Sequence, residues 1–280
     1  MQVGMLTAPF GSEPIANAVK FASEAGFDAL EVITGKGSAH FDAVSATPAE
    51  ALAVKKLVED AGLRISQLSF FGSFLSENPD EEAGNQAQVR KVIDTASVMG
   101  VQNIGILAGM PLPGKSKMQV TEEKVAPFWG PLCDYAKPKG VRFAMENWFA
   151  TLLQGLHHFE RIFEVLPADN FGLNFDPSHL YHQHIDYLGA VDQFAGRIFH
   201  SHAKDTEVNE WKKRWMGTLE GAWWRYVIPG FGGIDWGCYV SALRRNGLAD
   251  VTLSIEHEDS AFGREEGFVK GLNYLRTFVS

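Results

Sequence analysis

The segment VRFAMENWFATLLQGLHHFERIFEVLPADNFGLNFD (residues 141–176) decides the fold, because it contains one complete strand–helix–strand unit. It begins with the β-rich run VRFAME (141–146) and ends with the β-rich run FGLNFD (171–176). Between these runs lies a longer stretch in which His157 and His158 open a predicted helix. A strand, a helix and a second strand in this order are typical of a parallel sheet.

The same alternation of short β-rich runs and longer amphipathic stretches continues along the whole chain. The other six runs are QVGML (2–6), DALEVI (28–33), LRISQLSF (63–70), VQNIGIL (101–107), RIFHSH (197–202) and VTLSIE (251–256). Several helical stretches end on a glycine just before the next strand, where a left-handed residue is needed. These glycines are Gly26, Gly62, Gly100, Gly140 and Gly247.

Eight strand–helix alternations predict one (β/α)8 TIM barrel that covers residues 1–280. The main alternative is a doubly wound open sheet. The sequence disfavours it because TAPFGSEP (7–14), which follows the first strand, has one glycine and no GxGxxG phosphate turn. No change in composition along the chain indicates a second domain.

The bulk composition limits the partners and the compartment. With 25 basic and 34 acidic residues the formal net charge is −9, which disfavours nucleic acid as a partner. There is no apolar run of about 18 residues, and MQVGMLTAPF (1–10) does not have the character of a signal peptide. We therefore expect a cytoplasmic protein that does not enter membranes. Cys133 and Cys238 are expected to be buried free thiols, with redox or metal roles as the alternative.

The later strands carry polar side chains on the face opposite their apolar face. In VRFAME (141–146), for example, Val141, Phe143 and Met145 alternate with Arg142, Ala144 and Glu146. The seventh run is expected to place Phe199 on one face and Ile198, His200 and His202 on the other. Each polar row points into the barrel and ends in an acid or an imidazole. These end residues are Glu146, Asp176, His202 and Glu256.

Three buried carboxylates that converge on one point repel one another strongly unless a cation lies between them. We therefore predict that Glu146, Asp176, His202 and Glu256 bind one divalent metal ion. This ligand set favours Mn²⁺, with Mg²⁺, Co²⁺ and Zn²⁺ as alternatives. The competing interpretation is that each residue is only a polar group exposed at the barrel mouth. His200, one layer deeper, is expected to fill the lumen.

The motifs AMEN, NFDPSHL, HSHAKD and SIEHED, around the four predicted ligands, resemble the xylose-isomerase-like barrel superfamily, in its sugar isomerase/epimerase branch. The segment PGFGGIDW (229–236) is also similar to that branch, and the likeness spans all eight units. The resemblance implies the same four metal ligands, with the two glutamates as acid/base groups. It further implies that His179 and Arg225 contact the sugar.

One position departs from the pattern. Ketose 3-epimerases that act on free hexoses usually carry a glutamate six residues after the first ligand glutamate, and here that position is Leu152. The departure leaves room for a keto-sugar or inosose substrate. Trp148, just past Glu146, and Lys204, which shares the parity of His202, are further candidates for substrate contact.

The chemistry expected of such a site is proton transfer beside a carbonyl group. A metal ion stabilises an enediolate, and Glu146 and Glu256 remove and return the proton. The sequence thus predicts a metal-dependent sugar or keto-sugar isomerase or epimerase. An inosose-type dehydratase or a keto-sugar lyase is the runner-up, because expulsion of a β-hydroxyl starts from the same enediolate.

Two more distant alternatives have requirements of their own. An AP-endonuclease-like enzyme would need further metal ligands at earlier strand ends, where Ser69, Phe70 and Leu107 stand. A non-catalytic sugar-binding protein would not need the second glutamate.

Residues 203–234 form a connection that is too long for a simple strand–helix loop. It is rich in tryptophan, lysine and arginine, which suit either a lid over a sugar or a subunit interface. On the second interpretation we expect a homodimer or a homotetramer.

Overall fold

The barrel is built from eight parallel strands that close on themselves. The computed structural model describes residues 1–279. The barrel strands are β1 (Gln2–Leu6), β2 (Ala29–Ile33), β3 (Arg64–Ser69), β4 (Asn103–Ile106), β5 (Arg142–Glu146), β6 (Phe171–Phe175), β7 (Ile198–Ala203) and β10 (Thr252–Ile255). Their order around the barrel is β1-β10-β7-β6-β5-β4-β3-β2. The predicted single (β/α)8 TIM barrel is confirmed, and every strand boundary lies within two residues of its predicted position.

The part of the chain that the structure describes has eleven α-helices, most of which cover the apolar faces of the barrel strands. They are α1 (Ile15–Ala25), α2 (Pro48–Asp60), α3 (Pro79–Met99), α4 (Lys117–Val120), α5 (Ala126–Ala136), α6 (Leu156–Val165), α7 (Pro177–Tyr181), α8 (Tyr187–Phe194), α9 (Glu210–Met216), α10 (Trp236–Arg245) and α11 (Arg264–Val279). The five glycines expected before strands all have positive φ, between 67° and 88°. Their left-handed conformation is therefore confirmed.

The alternation in β7 differs from the expected pattern near its start. The register between β6 and β7 shifts, so that Ile198 pairs with Leu173 while His200 pairs with Asn174. Ile198 consequently packs in the apolar core, whereas Phe199 lies under the guanidinium of Arg142, 4.3 Å from its ring centroid. The expectation that Ile198 shares a face with His200 was wrong because of this irregularity. His200 and His202 keep the predicted parity.

The connection after β7 contains regular structure that the sequence did not reveal. Strands β8 (Asp205–Val208) and β9 (Trp224–Val227) form an antiparallel pair, with Thr206 opposite Tyr226. Helix α9 lies between them, and we call residues 205–227 the arm. The expectation that both cysteines are buried was wrong for Cys238, which is exposed in the first turn of α10, whereas Cys133 is buried.

Among residues 1–279, no helix combines the length and the apolar character that a bilayer crossing requires.

Candidate active site

The four predicted metal ligands lie together at the carboxyl-terminal end of the barrel. Glu146 is the last residue of β5 and His202 belongs to β7, while Asp176 and Glu256 directly follow β6 and β10. One ligand atom from each side chain lies within 4.8 Å of the others. Asp176 also caps α7 by accepting a hydrogen bond from the Ser178 amide at 2.8 Å, which fixes its carboxylate. Strand parity thus brings the four side chains to one point.

The imidazole of His202 is surrounded by acids. Its Nδ1 lies 3.0 Å from Glu256 Oε2, 3.5 Å from Glu146 Oε1 and 4.0 Å from Asp176 Oδ2. Burial alone would lower the pKa of His202, but the charges of Glu31 and Glu256 and the contact with Glu146 raise that pKa well above its usual value. Conversely, the pKa of Glu146, which burial would raise, is held well below normal by His179 and His202. The carboxylates are therefore ionised and attract positive charge.

Two atoms of this cluster are buried without a hydrogen-bond partner among the described residues. They are Asp176 Oδ2 and His202 Nδ1. Both atoms have oppositely charged neighbours within 4 Å, but neither makes a hydrogen bond, so each keeps a lone pair that a ligand could use. Three carboxylates and one imidazole match the donors that Mn²⁺, Mg²⁺ and related divalent ions accept. The residues present therefore fit a divalent metal ion.

A fourth buried carboxylate, that of Glu31, lies beneath the cluster. Glu31 Oε1 is 3.1 Å from His202 Nε2, and it also accepts hydrogen bonds from Gln67 Nε2 at 2.9 Å and Ser69 Oγ at 2.5 Å. Although burial opposes ionisation, the nearby His202 and His200 hold the pKa of Glu31 at about 2. When the Nε2–H group of His202 donates a hydrogen bond to Glu31, Nδ1 of the same ring is left free to bind a metal ion.

Sequence reasoning did not single out Glu31. The available signal was the acid in the middle of DALEVI (28–33), on the face that Ala29 shares.

Two polar residues, Asn147 and His200, fix the structure next to the predicted ligands by hydrogen bonds. Asn147 bonds to the backbone of Asp176 on both sides, accepting from its amide at 2.7 Å and donating to its carbonyl at 2.8 Å. His200 is buried one layer below His202, with Nδ1 2.9 Å from Asn174 Oδ1 and Nε2 3.1 Å from Ser66 Oγ. His200 thus fills the lumen, as expected.

Lys204 places a buried ammonium group among the acids. Its Nζ lies 2.7 Å from Glu256 Oε2, 3.3 Å from Asp176 Oδ2 and 3.7 Å from Glu258 Oε2. Burial would lower the pKa of Lys204, but these carboxylates raise it well above normal. Nζ also lies 4.5 Å from the ring centroid of Tyr226. The lysine is therefore a fixed positive charge at the mouth of the site.

His179 links the acidic cluster to the arm. Its Nε2 is 3.3 Å from Glu146 Oε1 and 3.3 Å from Asp176 Oδ2, while Nδ1 is 2.5 Å from the Tyr226 hydroxyl. Burial raises the pKa of Tyr226 far above normal, so the phenol stays protonated. Tyr226 lies in the connection 203–234, and its hydroxyl thus contacts a histidine of the acidic cluster.

A cavity of about 460 Å³ opens above the cluster. Its lining residues are Phe71, Leu107, Glu146, Trp148, Phe149, His179, Lys204, Trp224, Tyr226, Glu256 and Glu258. Three residues that were expected to contact substrate therefore line the same cavity: His179, Trp148 and Lys204. Arg225 is not among the lining residues. Its half-exposed guanidinium is paired with Glu207 and Asp259, because the alternation of β9 turns Tyr226 inward and Arg225 away.

Comparisons with known proteins agree with this architecture. Residues 19–278 match the family described as xylose isomerase-like TIM barrel. The inosose dehydratase of Clostridium perfringens is 25% identical over 247 residues, which cover 82% of each chain. A solved structure of the IolI protein with a binding zinc atom has a TM-score of 0.79 at 19% identity, covering 100% of this chain and 98% of the other. The D-psicose 3-epimerase of Clostridium cellulolyticum H10, solved with D-tagatose, has a TM-score of 0.77 at 15% identity over 100% of both chains. The match over almost the whole length places this chain in the xylose isomerase-like TIM barrel family.

Proposed function

We propose that the protein is a divalent-metal-dependent isomerase or epimerase of a sugar or keto-sugar. The observation that carries the proposal is the convergence of four ligand side chains within 4.8 Å, below a cavity lined by aromatic and polar residues. The four residues are Glu146, Asp176, His202 and Glu256. Aromatic side chains such as Trp148 and Trp224 offer faces to sugar C–H groups. Glu258 and Lys204 offer partners to hydroxyl groups.

The four residues hold the metal ion, for which Mn²⁺ is favoured over Mg²⁺, Co²⁺ and Zn²⁺. When bound, such an ion acts as a Lewis acid on substrate oxygens. A soft thiolate ligand is missing from the set, and carboxylates predominate, which supports a harder ion.

The protein's own residues perform the proton transfer. Glu146 ends β5 and Glu256 directly follows β10, and β6 and β7 separate these two strands in the barrel. Carboxylates on two sides of a substrate carbon can remove a proton from one face and return it to the other. His179, held by the Tyr226 hydroxyl, and Lys204 are placed to orient the substrate's oxygens.

The substrate class is narrowed by Leu152. Ketose 3-epimerases usually carry a glutamate at the equivalent position, whereas this leucine is fully buried in the apolar core. Position 152 therefore supplies no carboxylate to the cavity. The family also includes relatives named inosose dehydratase, at 25% identity, and inosose isomerase, at 29% identity. These facts support a keto-sugar or an inosose as substrate. Dehydration is therefore the second candidate reaction, by loss of a β-hydroxyl from the same deprotonated substrate.

The proposal is tested by incubating the protein with Mn²⁺ and candidate keto-sugars or inososes in deuterated water. Exchange at the carbon beside the carbonyl is expected, and Glu256→Gln should abolish it. Glu207→Gln is the matched control, since Glu207 pairs with Arg225 outside the cavity. Unchanged product mass identifies an isomerase or epimerase, whereas loss of one water identifies a dehydratase. Exchange that survives in Glu256→Gln, or metal binding with no exchange in the wild type, contradicts the proposal.

The arm is proposed to wall the cavity on one side and to contact another subunit on the other. Trp224 and Tyr226 line the cavity, whereas Trp211 and Trp215 stack on each other and are 65% and 77% exposed. Aromatic side chains are enriched in interface cores. The homodimer or homotetramer is tested by light scattering, in which Trp211→Ser with Trp215→Ser should yield monomers and Trp148→Phe should not.

A further inference from the structure

The hydroxyl group of Tyr226 lies between two imidazoles. It is 2.5 Å from Nδ1 of His179 and 3.4 Å from Nε2 of His182. Tyr226 belongs to β9 of the arm, whereas His179 lies in α7 and His182 directly follows that helix. The three side chains therefore form a hydrogen-bonded series that connects the arm with the carboxylates beneath the cavity.

The contacts of His179 Nε2 decide where the proton of this imidazole lies. Nε2 is 3.3 Å from Glu146 Oε1 and 3.3 Å from Asp176 Oδ2. An ionised carboxylate only accepts hydrogen bonds, so the nitrogen that faces both acids is a donor and carries the proton. The ammonium group of Lys204 is also 3.3 Å from Nε2, but it has a shorter contact of 2.7 Å with Glu256 Oε2 and does not depend on a lone pair of the imidazole. The same ammonium group disfavours a second positive charge on the ring.

The proton on Nε2 fixes the direction of the whole series. In a neutral imidazole with its proton on Nε2, Nδ1 is an acceptor, so the hydroxyl group of Tyr226 donates to it. Burial raises the pKa of Tyr226, which keeps the phenol protonated. Burial also lowers the pKa of His182 to about 4, and the N–H group of this neutral ring can donate to the phenol oxygen. Each hydrogen bond then polarises the next one toward Glu146.

The cavity is the place where this donor meets a substrate. His179, Lys204 and Tyr226 all line it. The carboxylate oxygens that face Nε2 belong to predicted metal ligands, so in the metal-loaded protein the N–H group is left for a substrate oxygen. Proton removal beside a carbonyl group places negative charge on the carbonyl oxygen, which has no hydrogen of its own and therefore needs a donor. A donor that is oriented before the reaction stabilises this charge without a cost of reorganisation.

We infer that Tyr226 is a positioning residue of the reaction: its hydroxyl group holds the proton of His179 on Nε2 and so keeps His179 a donor to the substrate oxygen that gains negative charge. The arm is then part of the reaction machinery and not only a wall of the cavity. The identity of the oxygen, as the carbonyl oxygen of a keto-sugar or an inosose, rests on the proposed function. The position of the proton on His179 does not, so the two are tested separately.

The position of the proton is read from the nitrogen NMR chemical shifts of the histidine rings in the full chain loaded with Mg²⁺, which is diamagnetic. Protonated and unprotonated ring nitrogens have different shifts, and the result does not depend on turnover. In the wild type we expect a proton on Nε2 of His179 and none on Nδ1. Tyr226→Phe keeps the aromatic ring and removes only the donor, so a fraction of the His179 rings should carry the proton on Nδ1 instead. His179→Gln assigns the signals.

Tyr181→Phe is the matched control. Tyr181 belongs to α7, as His179 does, but its hydroxyl group faces Gly233 and not the cavity. The control should keep the wild-type position of the proton. Mn²⁺ affinity, measured by calorimetry, should change little in either variant, since neither hydroxyl group is bonded to a predicted ligand.

The effect on the reaction is followed by exchange of substrate hydrogen in deuterated water, with scyllo-inosose and D-tagatose as probes. Tyr226→Phe should lower kcat for exchange about tenfold and leave KM within about twofold, because the lost donor acts on the oxygen that gains charge. Tyr181→Phe should change neither constant. A residue that is only a wall of the cavity would raise KM and leave kcat unchanged.

A proton on Nδ1 of His179 in the wild type, a doubly protonated ring, or an unchanged position of the proton in Tyr226→Phe would overturn the inference. An effect of Tyr226→Phe on KM alone would overturn it as well. If Tyr226→Phe moves the proton but the wild type exchanges neither probe, the effect of Tyr226 on His179 stands and the proposed reaction on these substrates is refuted.

Discussion

His202 and Glu31 form a fully buried pair in which Nε2 of the imidazole lies 3.1 Å from Oε1 of the carboxylate. The two residues lie 171 positions apart in the sequence. They meet inside the barrel although β2 and β7 are not neighbouring strands. A carboxylate behind a ligand imidazole fixes the ring orientation and its tautomer, and it raises the basicity of the other nitrogen. The nitrogen whose basicity is raised is Nδ1 of His202, which faces Glu146 and Glu256.

Replacing this carboxylate with an amide should weaken metal binding. Glu31→Gln preserves the shape of the side chain but removes the charge that holds His202, so we expect a loss of about 10- to 100-fold in Mn²⁺ affinity. Calorimetric titration measures the change. Glu13→Gln is the control, because Glu13 lies near the surface and binds Arg264 and Asn17. Wild-type affinity in Glu31→Gln would contradict the predicted role.

Lys204 should stabilise the protein most when no divalent metal ion is present. Removing the charge in Lys204→Met leaves Glu256 and Asp176 without their buried partner, which typically costs about 3–5 kcal/mol. A divalent ion compensates the same carboxylates, so the variant should gain more free energy of unfolding from Mn²⁺ than the wild type does. Urea unfolding with EDTA and with Mn²⁺ measures both quantities.

A matched control for Lys204 is provided by Lys115, which also contacts two acids, Glu77 and Glu123, but at the surface. Lys115→Met should change the free energy of unfolding much less than Lys204→Met does, and it should not alter the effect of Mn²⁺. Equal losses of unfolding free energy in the two variants would show that burial of the Lys204 charge does not determine its contribution to stability.

Much of the site was predictable because a parallel barrel converts strand parity directly into position. Glu146, Asp176, His202 and Glu256 end four polar rows, and their meeting follows from period-two alternation alone. Arg225 could not be placed in this way, since it belongs to a hairpin, β8–β9, whose existence and register depend on contacts between residues far apart in sequence. Ile198 and Phe199 deviated because a register shift interrupts the alternation, and no local signal marks that shift.

Asp205 should contribute strongly to stability through the loop that precedes α10. Its carboxylate is fully buried and accepts hydrogen bonds from the Gly230 and Ile234 amides, each at 3.0 Å, and from Trp236 Nε1 at 2.9 Å. A Cβ at Gly232 would lie 2.2 Å from Asp205 Oδ1, so this glycine lets the loop close around the acid. The arrangement accounts for the glycine-rich PGFGGIDW motif (229–236).

Asp205→Ala should therefore leave several buried N–H groups unpaired and cost roughly 3 kcal/mol or more of unfolding free energy. Asp235→Ala is the comparison, because the exposed Asp235 side chain only caps α10 through the Cys238 amide, so this substitution should cost less free energy of unfolding than Asp205→Ala. Chemical denaturation of both variants tests the order. If the Asp235 variant lost more stability than the Asp205 variant, the bracing role of Asp205 would be wrong.

His182 should make the fold sensitive to mild acid. Burial, with a smaller effect from His179, lowers the pKa of His182 from 6.5 to about 4. The unfolded chain therefore binds a proton in a range where the folded chain does not. The contribution of His182 is complete above about pH 6.5 and is lost as the pH falls toward 4, by about 3 kcal/mol at most.

The free energy of unfolding, measured between about pH 7.5 and pH 5, should fall less steeply with decreasing pH in His182→Gln than in the wild type. Gln183→Asn is the control, because it perturbs the same helix end but removes no imidazole. The control should shift stability by a constant amount and keep the wild-type slope. An identical slope in His182→Gln would mean that folding does not lower the pKa of His182, and its stacking on Trp224 would then have to accommodate a cation below about pH 6.5.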